Sequence, residues 1–368
     1  MTSDDWRATN HISVPRLRGC DPQAWAALLD AQPSGLAATV RHVKATPMQR
    51  GWSGAALCKY QVTCDSGEVL AFVAKRVQDN ETCLLEILSR RMSLDVPRVY
   101  FARDGWCVME ALPPGKPPVE WTPEDARAAL ANLARLHAGF WECAPDWLDR
   151  LDASGLNRRL DKAARGLALI GRVGGWPGLI EPSLIRAMRR ALDRRERFVA
   201  PLLDQPVTLL HGDTWLPNWN IADGRCVLLD WNEAVAGPAT WDVNYFLEIA
   251  AVYKAVDGQW QVCLPPLSRE EAVRLYLEEL ERALGRSVDR VAFASALSAA
   301  FVVNTLTLWL SYAADYAWTN LAFGAGWLLA RLPGSLRRTL EGLVLQNQGD
   351  FLRQTFAHFE SQVGYWLG

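Results

Sequence analysis

Short apolar–polar alternations fill the chain from about residue 40, and longer runs with a helical period take over beyond the proline cluster at 113–118. Val40–Thr46, Ala56–Cys64 and Val69–Val77 are rich in β-branched and aromatic residues and predict strands. The turn signal Asp65-Ser66-Gly67 joins the last two. Asn80–Arg91 reads as a helix with Leu84, Leu85, Ile87 and Leu88 on its apolar side. Val99–Ala102 and Trp106–Met109 predict two more strands around Asp104-Gly105. Five strands and one helix suit a small antiparallel sheet with a single covering helix. Ahead of them, residues 1–39 look like an extension with one helix around Pro22 to Ala31.

Leu112-Pro113-Pro114-Gly115-Lys116-Pro117-Pro118 admits neither a helix nor a central strand and marks a boundary. The expected organisation is an extension at 1–39, a first lobe at 40–111 and a helical second lobe at 112–368. Thr122, Pro123 and Asp125 begin a helix with a capping box. Its inner stripe is Ala126, Leu130, Leu133, His137 and Phe140, which makes His137 a hydrogen-bonded core histidine rather than a ligand. Pro182–Pro201 reads as one helix whose arginines form a solvated face. Ser268 with Glu271 forms a second capping box, and Gly285 ends that helix. Ala292–Ala314 has no charge over 23 residues, enough to cross a bilayer, yet its Ser, Thr and Asn content suits a buried central helix.

Composition narrows the class. Half the residues are hydrophobic and the net charge is −2, so a large core is expected and neither nucleic acid nor an anionic membrane is indicated as a partner. The eight cysteines are scattered without a Cys-x-x-Cys pair, as in a reducing, cytoplasmic setting where they serve as buried small hydrophobes. The start, Met1-Thr2-Ser3-Asp4-Asp5-Trp6, does not read as a signal peptide.

The candidate chemistry lies in two short stretches. His211-Gly212-Asp213 is followed by Asn218, and Val227-Leu228-Leu229 delivers Asp230 from a strand-like run. An Asp facing a hydroxyl, an Asn five residues on and a second Asp after a strand are the parts of a kinase catalytic loop. Asp213 then acts on the acceptor hydroxyl, while Asn218 and Asp230 supply the hard oxygens that magnesium prefers. His211 and Gly212 shape the loop. In the first lobe, Gly51, Ser53 and Gly54 offer backbone N–H groups to phosphates. Lys75 ends an apolar run and needs a partner on the next helix, either Glu81 or Glu86, with Glu81 preferred for its distance from the apolar positions. Glu110 to Leu112 offers backbone groups to a nucleotide base.

His211-Gly212-Asp213 with Asn218, Leu229-Asp230-Trp231, Gly237-Pro238 with Asp242, and Leu133-Ala134-Arg135-Leu136-His137 resemble the aminoglycoside phosphotransferase and choline kinase-like superfamily. The resemblance spans about residues 40–260 and is specific from 211 to 243. It implies an α+β, bilobal, protein kinase-like fold with a small antiparallel-sheet N-lobe and a large, mostly helical C-lobe. It also implies ATP or GTP as donor, Mg2+, the base role for Asp213, metal ligation by Asn218 and Asp230, and a phosphate grip by Lys75. Asp242 becomes a structural brace.

Only eleven residues separate Asp230 from Asp242, which leaves no peptide platform and disfavours a protein kinase. A pseudokinase-like nucleotide-binding protein is the other alternative, disfavoured because every expected polar group is present. The acceptor class stays open among aminoglycoside, sugar and amino alcohol. Trp215, Trp219, Trp231, Trp241, Tyr245, Trp309, Tyr312, Tyr316 and Trp318 are candidate stacking surfaces, and Glu233, Glu248, Asp315 and Asp350 are scattered candidates for holding a polycation.

Overall fold

The structure, a computed structural model, describes residues 13–32, 39–48, 56–77, 81, 83–85, 87–88, 94–172, 180–249, 251–254, 260–310 and 349–367. The chain forms two compact units: Met1–Lys116 with Trp219–Glu233, and Pro117–Asn218 with Ala234–Gly368. The glycine-containing stretch with Gly51, Ser53 and Gly54 lies outside the described residues, as do Glu86, Tyr312, Asp315, Tyr316 and Trp318.

In the first unit, β1 (Val40–Pro47), β2 (Leu57–Cys64), β3 (Val69–Arg76), β4 (Val99–Arg103) and β5 (Trp106–Glu110) form one antiparallel sheet in the order β1-β2-β3-β5-β4. Alternation along β3 sends Phe72 and Ala74 to one face and Lys75 to the other. Two short helices, α1 (Val14–Arg18) and α2 (Pro22–Asp30), belong to the Phe72 side. Trp25 of α2 is fully buried there, with its ring 4.9 Å from Tyr60 and 5.3 Å from Phe72. The sequence reading foresaw the helix at Pro22 but not this second layer on the sheet. Glu81, Leu84, Leu85 and Leu88 are helical and buried.

The hairpin Trp219–Ala222/Arg225–Leu228 joins the first unit although it comes late in the chain. Lys116 N–H donates to Ile221 O at 2.9 Å, and Leu228 N–H donates to Asp95 O at 3.2 Å. Arg225 grips the Glu110 carboxylate at 3.0 and 3.2 Å, reaching from the hairpin to the end of β5.

The second unit is built on helices. In α3 (Pro123–Gly139) the Thr122–Asp125 capping box is complete, and Ala126, Leu130, Leu133, His137 and Phe140 are all buried. Pro182–Pro201 is not one helix, contrary to the sequence reading. α5 (Pro182–Asp193) stops at Arg194, and α6 (Glu196–Leu203) starts anew, following α4 (Ala153–Arg172) and α5 in chain order. The break re-aims the apolar side, so that Phe198, Val199 and Leu202 are buried as well as Ala191 and Leu192. Strands Val207–Leu210 and Val235–Pro238 pair antiparallel and lead into the 211–213 loop and into α7 (Thr240–Glu248) respectively.

α8 (Arg269–Leu284) packs along α3 and ends at Gly285 in the left-handed region, φ 66°. Its expected capping box is half formed: Ser268 accepts from Glu271 N–H at 3.1 Å, but the Glu271 carboxylate takes Arg127 at 2.8 Å instead. α9 (Arg290–Asn304) continues as a π turn over Thr305–Trp309. The segment Arg290–Trp309 is long and apolar enough to cross a membrane by length and composition. Its buried apolar residues from Ala299 to Trp309, however, share one cluster with α4, α5, α6 and α10 (Gly349–Leu367), the setting of a core helix.

All eight cysteines are free. The expectation that they are buried holds for Cys64, Cys107 and Cys226. Cys20, Cys58 and Cys263 are half-buried, and Cys83 and Cys143 are exposed.

Candidate active site

In the first unit Lys75 Nζ lies 2.8 Å from Glu81 Oε1 and 2.5 Å from Asp230 Oδ1. Lys75 is 7% exposed and Glu81 3%. Of the two helix carboxylates proposed for Lys75, it is Glu81 that the structure brings to it. Burial works against the lysine charge, but the Glu81 and Asp230 carboxylates outweigh it and raise the Lys75 pKa. The Glu81 pKa is also raised, because its own burial exceeds the opposing pull of Lys75. The ammonium therefore stays charged at neutral pH.

Asp230 is set by the hairpin that ends at Leu228. Its backbone has φ 63°, a left-handed conformation that is uncommon for a residue with a side chain. The neighbouring Trp231 is buried and donates Nε1–H to Leu228 O at 3.1 Å, while Asn232 Nδ2 donates to Asp230 Oδ1 at 2.7 Å. Oδ1 is thus held by Lys75 and Asn232, and Oδ2 has no hydrogen bond among the described residues.

In the second unit a buried carboxylate shapes the 211–213 loop. Asp242 is fully buried and accepts the backbone N–H of His211 at 2.7 Å and of Gly212 at 2.8 Å. His137 Nε2 lies 3.3 Å from Asp242, and His137 Nδ1 lies 2.6 Å from the Tyr276 hydroxyl. Since a carboxylate only accepts, Nε2 carries the ring proton and Nδ1 accepts from Tyr276. Burial, with the Asp242 charge adding to it, raises the Tyr276 pKa well above its ordinary range, which keeps that donor protonated. Thr214 Oγ1–H to Asp242 O at 2.6 Å and Thr208 Oγ1–H to His137 O at 2.7 Å complete the network.

Gly212 supplies the positive φ of 82° that the loop needs, and His211 Nδ1 accepts the Asp213 N–H at 3.2 Å. Asn218 Nδ2 donates to both Asp213 O and Asp213 Oδ2 at 2.8 Å. Both partners are acceptors, so the amide orientation is fixed and its oxygen is turned away from Asp213. No hydrogen bond occupies Asn218 Oδ1 among the described residues. Taken separately, Oδ1 of Asn218 and Oδ2 of Asp230 are each a hard oxygen donor of the kind magnesium takes.

At the end of β5 the expected base-contacting groups divide. Glu110 N–H is already bonded to Arg98 O at 2.9 Å and Ala111 N–H to Ala71 O at 3.3 Å. Leu112 N–H has no such bond among the described residues, which leaves it available. The sequence reading missed the Arg225–Glu110 clamp, the Asn232 support of Asp230 and the Tyr276 end of the histidine relay. Of these, only Asn232 had a local signal, its position two residues after Asp230. Trp219, Trp231 and Trp241 are buried and serve packing, and Glu248 is ion-paired to Arg269.

A choline kinase from Cryptosporidium parvum Iowa II has a similar fold, with TM-score 0.56 and 12% identity over 88% of this chain and 90% of that one. A choline kinase from Streptococcus pneumoniae aligns with TM-score 0.48 and 13% identity over 89% and 94% of the two chains. A choline/ethanolamine kinase family protein from Mesorhizobium loti aligns with TM-score 0.46 and 14% identity over 94% and 99%. No curated protein matches the chain. The profile described as the phosphotransferase enzyme family matches residues 60–286, more than half of the sequence. With that match, the chain belongs to the phosphotransferase enzyme family.

Proposed function

We propose that the protein moves the γ-phosphoryl group of ATP or GTP to a hydroxyl of a small molecule, with magnesium held by Asn218 and Asp230. The observation that carries this reading is the buried Lys75, aimed by Glu81 and shared with Asp230. A desolvated cation that stays charged at neutral pH suits the phosphate oxygens of a nucleotide. Magnesium, which Asn218 and Asp230 would hold, would supply positive charge against the phosphate oxygens.

The other steps fall to the chain's own groups. Asp213 accepts the hydrogen bond of the incoming hydroxyl and orients its oxygen towards phosphorus, while Asn218 keeps the carboxylate in place. The new P–O bond forms as the bond to the β-phosphate oxygen breaks, and the hydroxyl proton passes to Asp213. A carboxylate is a weak base for an alcohol, so orientation contributes more than early proton removal. Leu112 N–H is the expected contact to the nucleotide base, and Gly51, Ser53 and Gly54 are the expected phosphate contacts.

Nucleoside diphosphate release is the direct test. Purified protein with Mg-ATP or Mg-GTP and a panel of alcohols should release diphosphate, and Asp213→Asn should not. A protein that magnesium and nucleotide stabilise against heat, yet that never turns over any acceptor, would instead be a binding protein.

A further inference from the structure

Two arginines of the first unit converge on one tryptophan. Arg76 lies directly across from Trp106 in the β3–β5 register, and the Arg18 guanidinium, from α1, sits 5.3 Å from the centre of the Trp106 ring. Directly opposed residues of an antiparallel pair share one face, with side chains rooted roughly 5 Å apart. That face is the one that carries Phe72 and Ala74, because Arg76 continues their alternation along β3, so it is turned away from Lys75. Trp106 itself is only 8% exposed and packs in the cluster of Val14, Phe72 and Ala74.

These groups line a cleft of about 270 Å³, together with Val14, Ala56 and Asp104. Its charge is out of balance. Neither Arg18 nor Arg76 has a carboxylate partner among the described residues. Asp104 is the one carboxylate of the lining, and it is taken by Arg103, whose Nε lies 3.5 Å away. Two guanidiniums brought to one ring repel each other, and an anion between them would remove that cost. A guanidinium set over a ring also keeps its edge N–H donors for another partner.

We propose that this cleft is an anion site of its own, distinct from the Lys75 centre, and that it takes a compact phosphate monoester. The assignment does not depend on the phosphotransferase reading. Arginine's planar fork matches phosphate oxygens two at a time, and a monoester carries nearly two negative charges at neutral pH, one for each guanidinium. The volume falls just below the roughly 300–1,000 Å³ of ordinary small-molecule sites, which suits one phosphate on a short carbon skeleton and not a nucleotide. Arg76 follows Lys75 in the chain, and its N–H is bonded to Ala56 O at 3.1 Å. A bound monoester therefore braces the end of the strand that carries the lysine.

Titration calorimetry of the full chain with glycerol 3-phosphate tests the assignment, with glycerol and succinate alongside. Glycerol 3-phosphate should bind and glycerol should not. Arg18→Met and Arg76→Met change exposed side chains, so ligand-free melting temperatures should stay near the parent's. Each should weaken glycerol 3-phosphate binding about ten-fold or more. Asp104→Asn keeps a residue that tolerates the left-handed backbone at this position, φ 52°, and removes the one negative charge of the lining, so it should tighten binding. The variant Lys75→Met/Glu81→Leu, altered on the other side of the sheet, should bind glycerol 3-phosphate as the parent does. No binding to the parent, unchanged affinity in both arginine variants, or loss of binding in Lys75→Met/Glu81→Leu would overturn the proposal. Equal affinity for succinate would overturn the choice of a phosphate.

Discussion

The Asp242 carboxylate accepts the backbone N–H of His211 at 2.7 Å, fixing the first residue of the loop from a helix 31 residues further on. The loop is thus shaped by a group that needs no part in the reaction. Asp242→Ala would leave the N–H groups of His211 and Gly212 and the His137 ring without their acceptor. At about 1–3 kcal/mol for each of these three donors left unmet, the loss should be roughly 3–9 kcal/mol, read from urea unfolding. Turnover should fall in parallel, because Asp213 is the next residue of the same loop.

Lys75 and Glu81 form a buried pair, so removing one partner is harsher than removing both. Lys75→Met strands a buried carboxylate and should cost up to about 3–5 kcal/mol, less to the extent that Glu81 takes up a proton. The double variant Lys75→Met/Glu81→Leu should recover much of that loss in thermal unfolding while still failing to bind nucleotide. A double variant no more stable than the single one would mean that the pair holds the fold by packing alone.

The Lys75 pKa is raised from its ordinary 10.5, so the folded chain holds this proton more tightly than the unfolded chain does. Its stabilising contribution is complete below that ordinary value and is lost as pH climbs through the higher folded one. The gap in melting temperature between the parent and Lys75→Met should therefore stay constant from about pH 7 to 9.5 and narrow only in stronger alkali. A gap that closes between about pH 7 and 9 would show that burial lowers the lysine pKa below its ordinary value instead.

Asp213→Asn should lower kcat by about 10²- to 10⁴-fold while nucleotide affinity, measured by titration calorimetry, stays near the parent value. Asn218→Ala should show a different split. It removes both the hydrogen bonds that hold Asp213 and a proposed magnesium ligand, so it should also weaken Mg-nucleotide binding.

Much of the site was readable because its parts are close in sequence. Asp213 and Asn218 are five residues apart and are hydrogen-bonded to each other, so spacing alone placed them together. His137 was readable for another reason: it falls on a regular apolar stripe, and a histidine there must find a partner inside. The Arg225–Glu110 clamp joins residues 115 apart, and no local pattern announces such a pair. The stop at Arg194 was hidden because the arginines and alanines around it favour helix on both sides, and the break is decided by packing. Trp25 was underread because α2 precedes the first strand, although an aromatic amid Leu28 and Leu29 needs a surface to cover.

That last position has a practical consequence. Tyr60 and Phe72 are shielded by Trp25, so a shortened clone that begins at Val40 would uncover an aromatic floor across the middle of the sheet. Such a floor is sticky in water, and a truncated protein would tend to self-associate before its chemistry could be assayed.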